Sequence, residues 1–336
     1  MVYIKNFAPS WFASIMGTGI LAICCKMFSC YFPYLLKFAH ILFWCNLSLF
    51  FLFLIFWIAR WIFFPKNAKA DLCHPVISSF YPTIAVAALV ISGGFINIFH
   101  FVWFSKIFWI AGSSLTVFFS FLILTIMFTH ENITISHINP GWYIPPVGLI
   151  VIPVAGAFFE PISCGYEKEL ITVVNFLGFG AGFFIYMALL SIIVYRLILH
   201  SPLPGTLSPT IWINLGPIGA GNIALINIVS QSSFITVKEP FYVFSLIFWG
   251  FGLWWFVMAV IITLKYVTKS QLNYSLSWWA FIFPLGAYTA STHIIYKIFK
   301  FEIINILGFS FFLLLFMMWI VTLIFTLKNV KTIFEG

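Results

Sequence analysis

The chain has 336 residues, of which 63% are hydrophobic and only 7% charged, with a mean hydropathy of +1.10. Soluble domains carry roughly 25% charged residues, so a soluble globule is excluded. The formal net charge is +8, but the basic residues sit singly between apolar runs, which excludes a nucleic-acid surface and suits topology setting and contact with lipid head groups.

Ten apolar stretches follow one another, at 7–24, 38–63, 77–99, 104–129, 141–159, 170–198, 210–230, 241–267, 278–299 and 303–327. A spanning helix takes about 20 apolar residues at 1.5 Å rise each, so each stretch can cross a bilayer. Residues 1–336 are expected to form a single polytopic membrane domain. Lys5 precedes the first stretch and no small-residue cleavage pattern follows it, so this stretch is expected to be a retained helix and not a signal peptide. Proline falls in every second stretch only. The odd ones hold Pro9, Pro82, Pro145, Pro146, Pro153, Pro217 and Pro284, and the even ones none. Proline removes a helix hydrogen bond, and in lipid the freed carbonyl needs protein or water beside it. The pattern predicts five helix pairs, with kinked members inside and smooth members outside, walling a transport pathway.

In chain order, the first stretch opens FAPSWFASIMGTGI. Pro9 stands at the helix start, where its missing N–H costs nothing. Gly17 and Gly19 flank Thr18 at mid-helix; they serve either helix packing or a narrow pore lined by backbone and the hydroxyls of Ser14 and Thr18. The third carries Ser78, Ser79 and Thr83 around Pro82, after a His74-Pro75 turn. The fifth is the most broken, with Pro153 at its centre and Gly156 beyond. The sixth has Gly178, Gly180 and Gly182, a helix-contact spacing that lacks the strand and GxGxxG of a dinucleotide loop. The seventh gathers Gly216, Pro217, Gly219 and Gly221 beside Asn214, Asn222 and Asn227, and the ninth bends at Pro284-Leu285-Gly286 just after Phe281 and Phe283. The second, fourth and tenth are rich in Phe, Leu and Ile nearly all round, as lipid-facing helices are. The candidate wall comprises the kinks Pro82, Pro153, Pro217 and Pro284, the small residues Gly17, Gly19, Gly219 and Gly286, and the polar side chains Ser14, Thr18, Thr83 and Asn222.

No Asp, Glu, Lys or Arg lies near the middle of any stretch. Buried charges mark proton relays and tight ion sites, so their absence favours facilitated passage; coupling through loop histidines such as His74 or His137 stays open. With the N-terminus cytoplasmic, both arginines and the dense run from Arg60 to Lys69 fall inside, and Glu160, Glu167, Glu169, Glu239 and Glu302 outside. Both termini are therefore expected in the cytoplasm. The six cysteines show no metal-ligand spacing; Cys30 and Cys164 could both face outward, but isolated thiols are the simpler reading. The rival class is a membrane-embedded enzyme. It would rest on His130-Glu131 and His137, but a zincin needs its second histidine four residues after the first, and here it comes seven later. No enzyme, metal or cofactor is expected.

Together FAPSWFASIMGTGI, HPVISSFYPT at 74–83, LGPIGAG at 215–221, FWGFGLWWF at 248–256 and WWAFIFPLGAY at 278–288 resemble the tellurite-resistance/dicarboxylate transporter family. That family includes fungal malate permeases and sulfite efflux pumps, bacterial tellurite-resistance proteins and the slow anion channels of plant guard cells. The WFASIMGTGI and FGLWWF forms are closer to the malate/sulfite branch. The resemblance implies an all-α integral membrane protein of the cell membrane, with ten transmembrane helices as five hairpins in quasi-fivefold symmetry around a central pore. It implies a homotrimer and a small anionic substrate: a C4-dicarboxylate such as malate, or an inorganic anion such as sulfite or chloride. It also implies a phenylalanine gate on the ninth helix, which falls on Phe283, with Phe281 as the alternative.

Overall fold

The computed structural model describes every residue except His130, Asn132 and Gly336, and of Glu335 the backbone alone. Among the described residues every regular element is a helix. The long helices are α1 (Phe12–Met27), α2 (Tyr34–Phe63), α3 (Thr83–Gly94), α4 (Val102–Thr129), α5 (Ile144–Gly156), α6 (Gly165–Leu199), α7 (Leu215–Gln231), α8 (Glu239–Thr268), α9 (Ile282–Phe299) and α10 (Glu302–Glu335). Nine helical segments among the described residues are long and apolar enough to cross a membrane. The remaining one is α9 with the helical turn before it, 18 and six residues long. Thr289, Ser291, Thr292 and His293 make it the more polar one, and all four are buried.

Burial divides the helices by parity. In the odd spans up to α7, 72, 83, 89 and 100% of the most apolar stretch is buried; in the even spans the figures run from 22 to 44%. A helix apolar all round and buried lies inside, and one apolar all round and exposed meets lipid. Each odd helix packs against the next odd one, and α9 returns to pack against α1, which closes a ring. Each even helix packs outside the odd helix before it. The α3–α4 and α9–α10 links are tight turns in which His100 and Lys300 both adopt a left-handed conformation with φ 57°, a strain of about 1 kcal/mol each. The two ends of the chain meet. Asn6 Nδ2 donates to the Phe334 carbonyl at 2.7 Å, and Trp11 stacks on Phe334 with centroids 5.2 Å apart.

The prolines do not bend the inner helices at their middles, as the sequence suggested. A 3-10 turn precedes each odd helix, at Pro9–Trp11, Ile77–Phe80, Pro140–Tyr143, Ser208–Asn214 and Leu276–Phe281. Pro82 is the N-cap of α3, and Pro145, Pro146, Pro217 and Pro284 lie in the first turns of α5, α7 and α9. The 3-10 turn hands its carbonyls to the first N–H groups of the α-helix, as Gly141 to Ile144, Trp212 to Leu215 and Trp279 to Ile282; proline there gives up such a bond, but its fixed φ suits the helix. Only Pro153 sits inside an inner α-helix, near the point where α5 tightens into 3-10 turns over Ala157–Ile162.

Candidate functional site

Two cavities lie on the axis of the inner ring. One, of about 40 Å³, opens among the N-terminal turns of the odd helices, at the end of the bundle where the chain termini meet. The other, of about 80 Å³, lies among their C-terminal halves. The second is walled by one stripe from each odd segment: Ile20/Ile23/Met27, Val90/Gly93/Asn97, Val151/Val154/Phe158, Ala220/Ile223/Asn227 and Ala287/Ala290/Ile294. Every stripe has the spacing i, i+3, i+7, which is a single helix face. One turn earlier, Met16, Val147, Gly216 and Phe283 face the first cavity. Phe283 alone belongs to both walls. Its side chain is only 6% exposed, and its Cε1 lies 3.9 Å from where a Cβ on Gly216 would be. The ring therefore stands across from Gly216, with room for a Cβ between them, and borders both voids.

Phe281, two residues earlier, points elsewhere. It packs edge-on against Trp212 at 5.5 Å and Trp278 at 6.0 Å and borders neither cavity. Two residues turn a helix by about 200°, so the two rings cannot share a task.

Of the other residues singled out, Thr83 and Pro284 line the first cavity. The Thr83 hydroxyl, within reach of the Pro9 carbonyl at 2.9 Å and that of Phe80 at 2.6 Å, fastens α3 to the turn before α1. Pro82, Pro153 and Pro217 lie on inner segments behind the cavity faces. Gly17, Gly19, Gly219 and Gly286 are sites of helix contact. A Cβ on Gly17 would meet Trp279 at 3.0 Å, on Gly19 Val90 at 2.6 Å, on Gly219 the Ala287 backbone at 2.5 Å and on Gly286 Ile20 at 2.5 Å. Ser14 donates to the Trp11 carbonyl at 2.7 Å. Thr18 accepts from Trp319 Nε1 at 3.1 Å, which turns it toward α10. Asn222 is fully buried with neither amide atom partnered among the described residues, and it lines neither cavity.

The walls are mainly apolar. Among the described residues no charged side chain lines either cavity, and the polar groups are Thr83 and Ser277 at one end and Asn97 and Asn227 at the other. Both asparagines donate to main-chain carbonyls, of Gly93 and of Val154, at 2.8 Å. The first turns of all five odd helices surround the smaller cavity. Helix N-termini carry partial positive charge, each favouring a nearby anion by about 0.3–1 kcal/mol. Loop histidines take no part in the walls. His74 Nδ1 accepts from the backbone N–H of Val76 and Ile77, and His137 Nδ1 from that of Thr134, so both hold turns. His130, invoked by the enzyme reading, lies outside the described residues.

Met16, Gly216, Asn97, Asn227 and the Ala287/Ala290/Ile294 stripe were missed as wall residues by sequence reasoning. The recurring i, i+3, i+7 spacing is the signal that could have found them.

The family model for the voltage-dependent anion channel matches residues 6–327. Two uncharacterized transporters of Methanocaldococcus jannaschii are each 57% identical to this chain; one aligns over 99% of this chain and 96% of its own length. A sulfite efflux pump of Arthroderma otae is 29% identical over 97% of this chain and 91% of its own length. The malic acid transport protein of Schizosaccharomyces pombe is 23% identical over 94% of this chain and 77% of its own length.

Proposed function

Because the chain belongs to the voltage-dependent anion channel family, we propose that it passes small anions across the membrane through the axis of the odd-helix ring, with Phe283 as the gate. The observation that carries this reading is the pair of axial cavities whose walls have Phe283 alone in common. An aromatic plug in an apolar constriction blocks ions by dewetting, since an ion cannot cheaply shed its water there. Five helix N-termini bias the smaller cavity toward anions. The lack of a charged wall suits weak binding and rapid release.

A small inorganic oxyanion of the sulfite kind is the favoured substrate. The larger axial cavity is confined, at about 80 Å³. The similarity to sulfite efflux pumps is also higher than that to the malic acid transport protein. A C4-dicarboxylate is the second reading and rests on the latter relative. Ten crossings, as five hairpins in quasi-fivefold order, are part of the proposal. The meeting of the chain ends supports an even number of crossings, with α9 as the additional one. The cytoplasmic side is assigned to the end that carries Lys5, Arg60, Lys66 and Lys69. A homotrimer in the cell membrane belongs to the same reading, by family likeness.

Flux into proteoliposomes, with sulfite, chloride and malate run in parallel, tests the proposal. Faster sulfite than malate uptake, with shallow saturation, is expected. No anion flux above protein-free vesicles, or micromolar affinity for one anion by calorimetry, would overturn it.

A further inference from the structure

We propose that the cleft between the ends of α6 and α8 is a binding site for one anionic membrane lipid. An apolar groove of about 440 Å³ runs between these outer helices, with Val194, Ile198, Phe251 and Trp254 among its walls. It continues into a second pocket of about 270 Å³, lined by His200, Lys265, Tyr266, Lys269 and Gln271. Leu197, Ile211 and Ile262 belong to both, so the two volumes form one amphipathic cleft. From Phe251 to Ile262 the helix rises about 16 Å, the depth of one leaflet in a hydrocarbon core of about 30 Å. The polar pocket thus falls at the membrane surface when the apolar groove lies in the acyl region.

The charge is one-sided. Among the described residues no acidic one lines either volume, and Lys265 and Lys269 join no ion pair. Behind the pocket, Arg196 is 2% exposed, and its Nε and Nη1 have no partner among the described residues. Its carbonyl accepts the His200 N–H at 3.1 Å, which ties it to the pocket wall. Cations at two helix C-termini answer the helix dipoles, but that alone would need neither a pocket nor an adjoining apolar groove. A phosphate-bearing head group in the basic pocket with an acyl or isoprenoid chain in the groove satisfies both parts. A free anion would leave the groove without purpose, and a zwitterionic lipid would leave the charge unmet.

The site lies outside the axial cavities, so its failure would leave the anion-passage reading untouched. The test is native mass spectrometry and thermal melting of the purified protein with phosphatidylglycerol, phosphatidylcholine or inorganic phosphate. Phosphatidylglycerol is expected to give a retained adduct of one lipid per chain and to raise the melting temperature, with at least tenfold higher affinity than phosphatidylcholine. The double variant Lys265→Gln/Lys269→Gln should lose that preference while keeping its lipid-free melting point and its anion flux. Equal retention of the two lipids by the parent protein would overturn the proposal without recourse to any variant. So would an unchanged preference in the double variant, or inorganic phosphate binding as tightly as the anionic lipid. Cross-linking of this cleft to a second copy of the chain with no lipid retained would assign it to a subunit interface instead.

Discussion

Replacing Phe283 by alanine should open the pathway, and the size of the effect follows from the packing of the ring. The side chain is 6% exposed and borders cavities of about 80 and 40 Å³. Burying a phenylalanine side chain is worth about 1.5–3 kcal/mol, so a conformation with the ring withdrawn from its seat is disfavoured by that order. At about 1.4 kcal/mol per factor of ten, the unblocked state is populated about ten- to a hundredfold less than the plugged one. Phe283→Ala removes that penalty, and anion flux in proteoliposomes should rise by about the same factor. The stability cost should lie near the lower end of the roughly 3–5 kcal/mol seen for buried Phe→Ala changes, because the ring already faces voids on both sides. Phe281→Ala is the control. It removes contacts to Trp212 and Trp278, so it should lower the melting temperature at least as much and leave flux near the parental level. A Phe283→Ala protein that assembles yet conducts like the parent would sink the gate assignment.

Gly216→Val should narrow the passage from the opposite wall, since its branches would project past a Cβ already 3.9 Å from the Phe283 ring; overpacking of about 1–3 kcal/mol would lower flux about tenfold at parental expression. Gly219→Ala should instead damage the fold, because its Cβ would fall on the Ala287–Tyr288 backbone, which cannot rotate away. A loss of about 1–3 kcal/mol or more should appear as a lower melting temperature, whereas Gly180→Ala, with nothing within 4 Å, should melt like the parent. Tags at the two termini should be labelled from the same side of intact cells, and opposite accessibility would mean an odd number of crossings.

The division into inner and outer helices was legible in the sequence because proline tracks it. Each buried helix begins with a 3-10 turn and carries proline in that turn or just after it, whereas the lipid-facing helices hold proline at most at their very start, as Pro33 before α2 and Pro240 in α8. What proline does there was not legible, because hydrophobic periodicity cannot distinguish a 3-10 turn leading into a helix from a bent α-helix. The role of the glycines was open for a related reason. Gly17 and Gly286 look alike in sequence whether they face a bore or a neighbour, and only the positions of Trp279 and Ile20 decide it. The wall itself was hidden by the inner helices being apolar all round: α7 is completely buried along its apolar stretch, so no polar face marks which residues look inward. The choice between Phe281 and Phe283 is a matter of helix phase, and phase depends on where α9 starts.

The contacts that close the ring are also the longest in the chain. Asn6 reaches Phe334, Trp319 reaches Thr18 and Cys24 reaches the Gly286 carbonyl, across sequence separations of 328, 301 and 262 residues. Until the last hairpin emerges from the ribosome, α1 has only one of its two inner neighbours, and the grooves beside Gly17 that receive Trp279 and Ile282 stand open to lipid. Local helices form in microseconds, but loop closure over such distances is entropically slow. Assembly thus ends with a docking step in which the newest segment must find the oldest, and the ring of inner helices has no continuous wall before that moment. A half-made chain in the membrane is therefore an open arc and not a leak of defined selectivity.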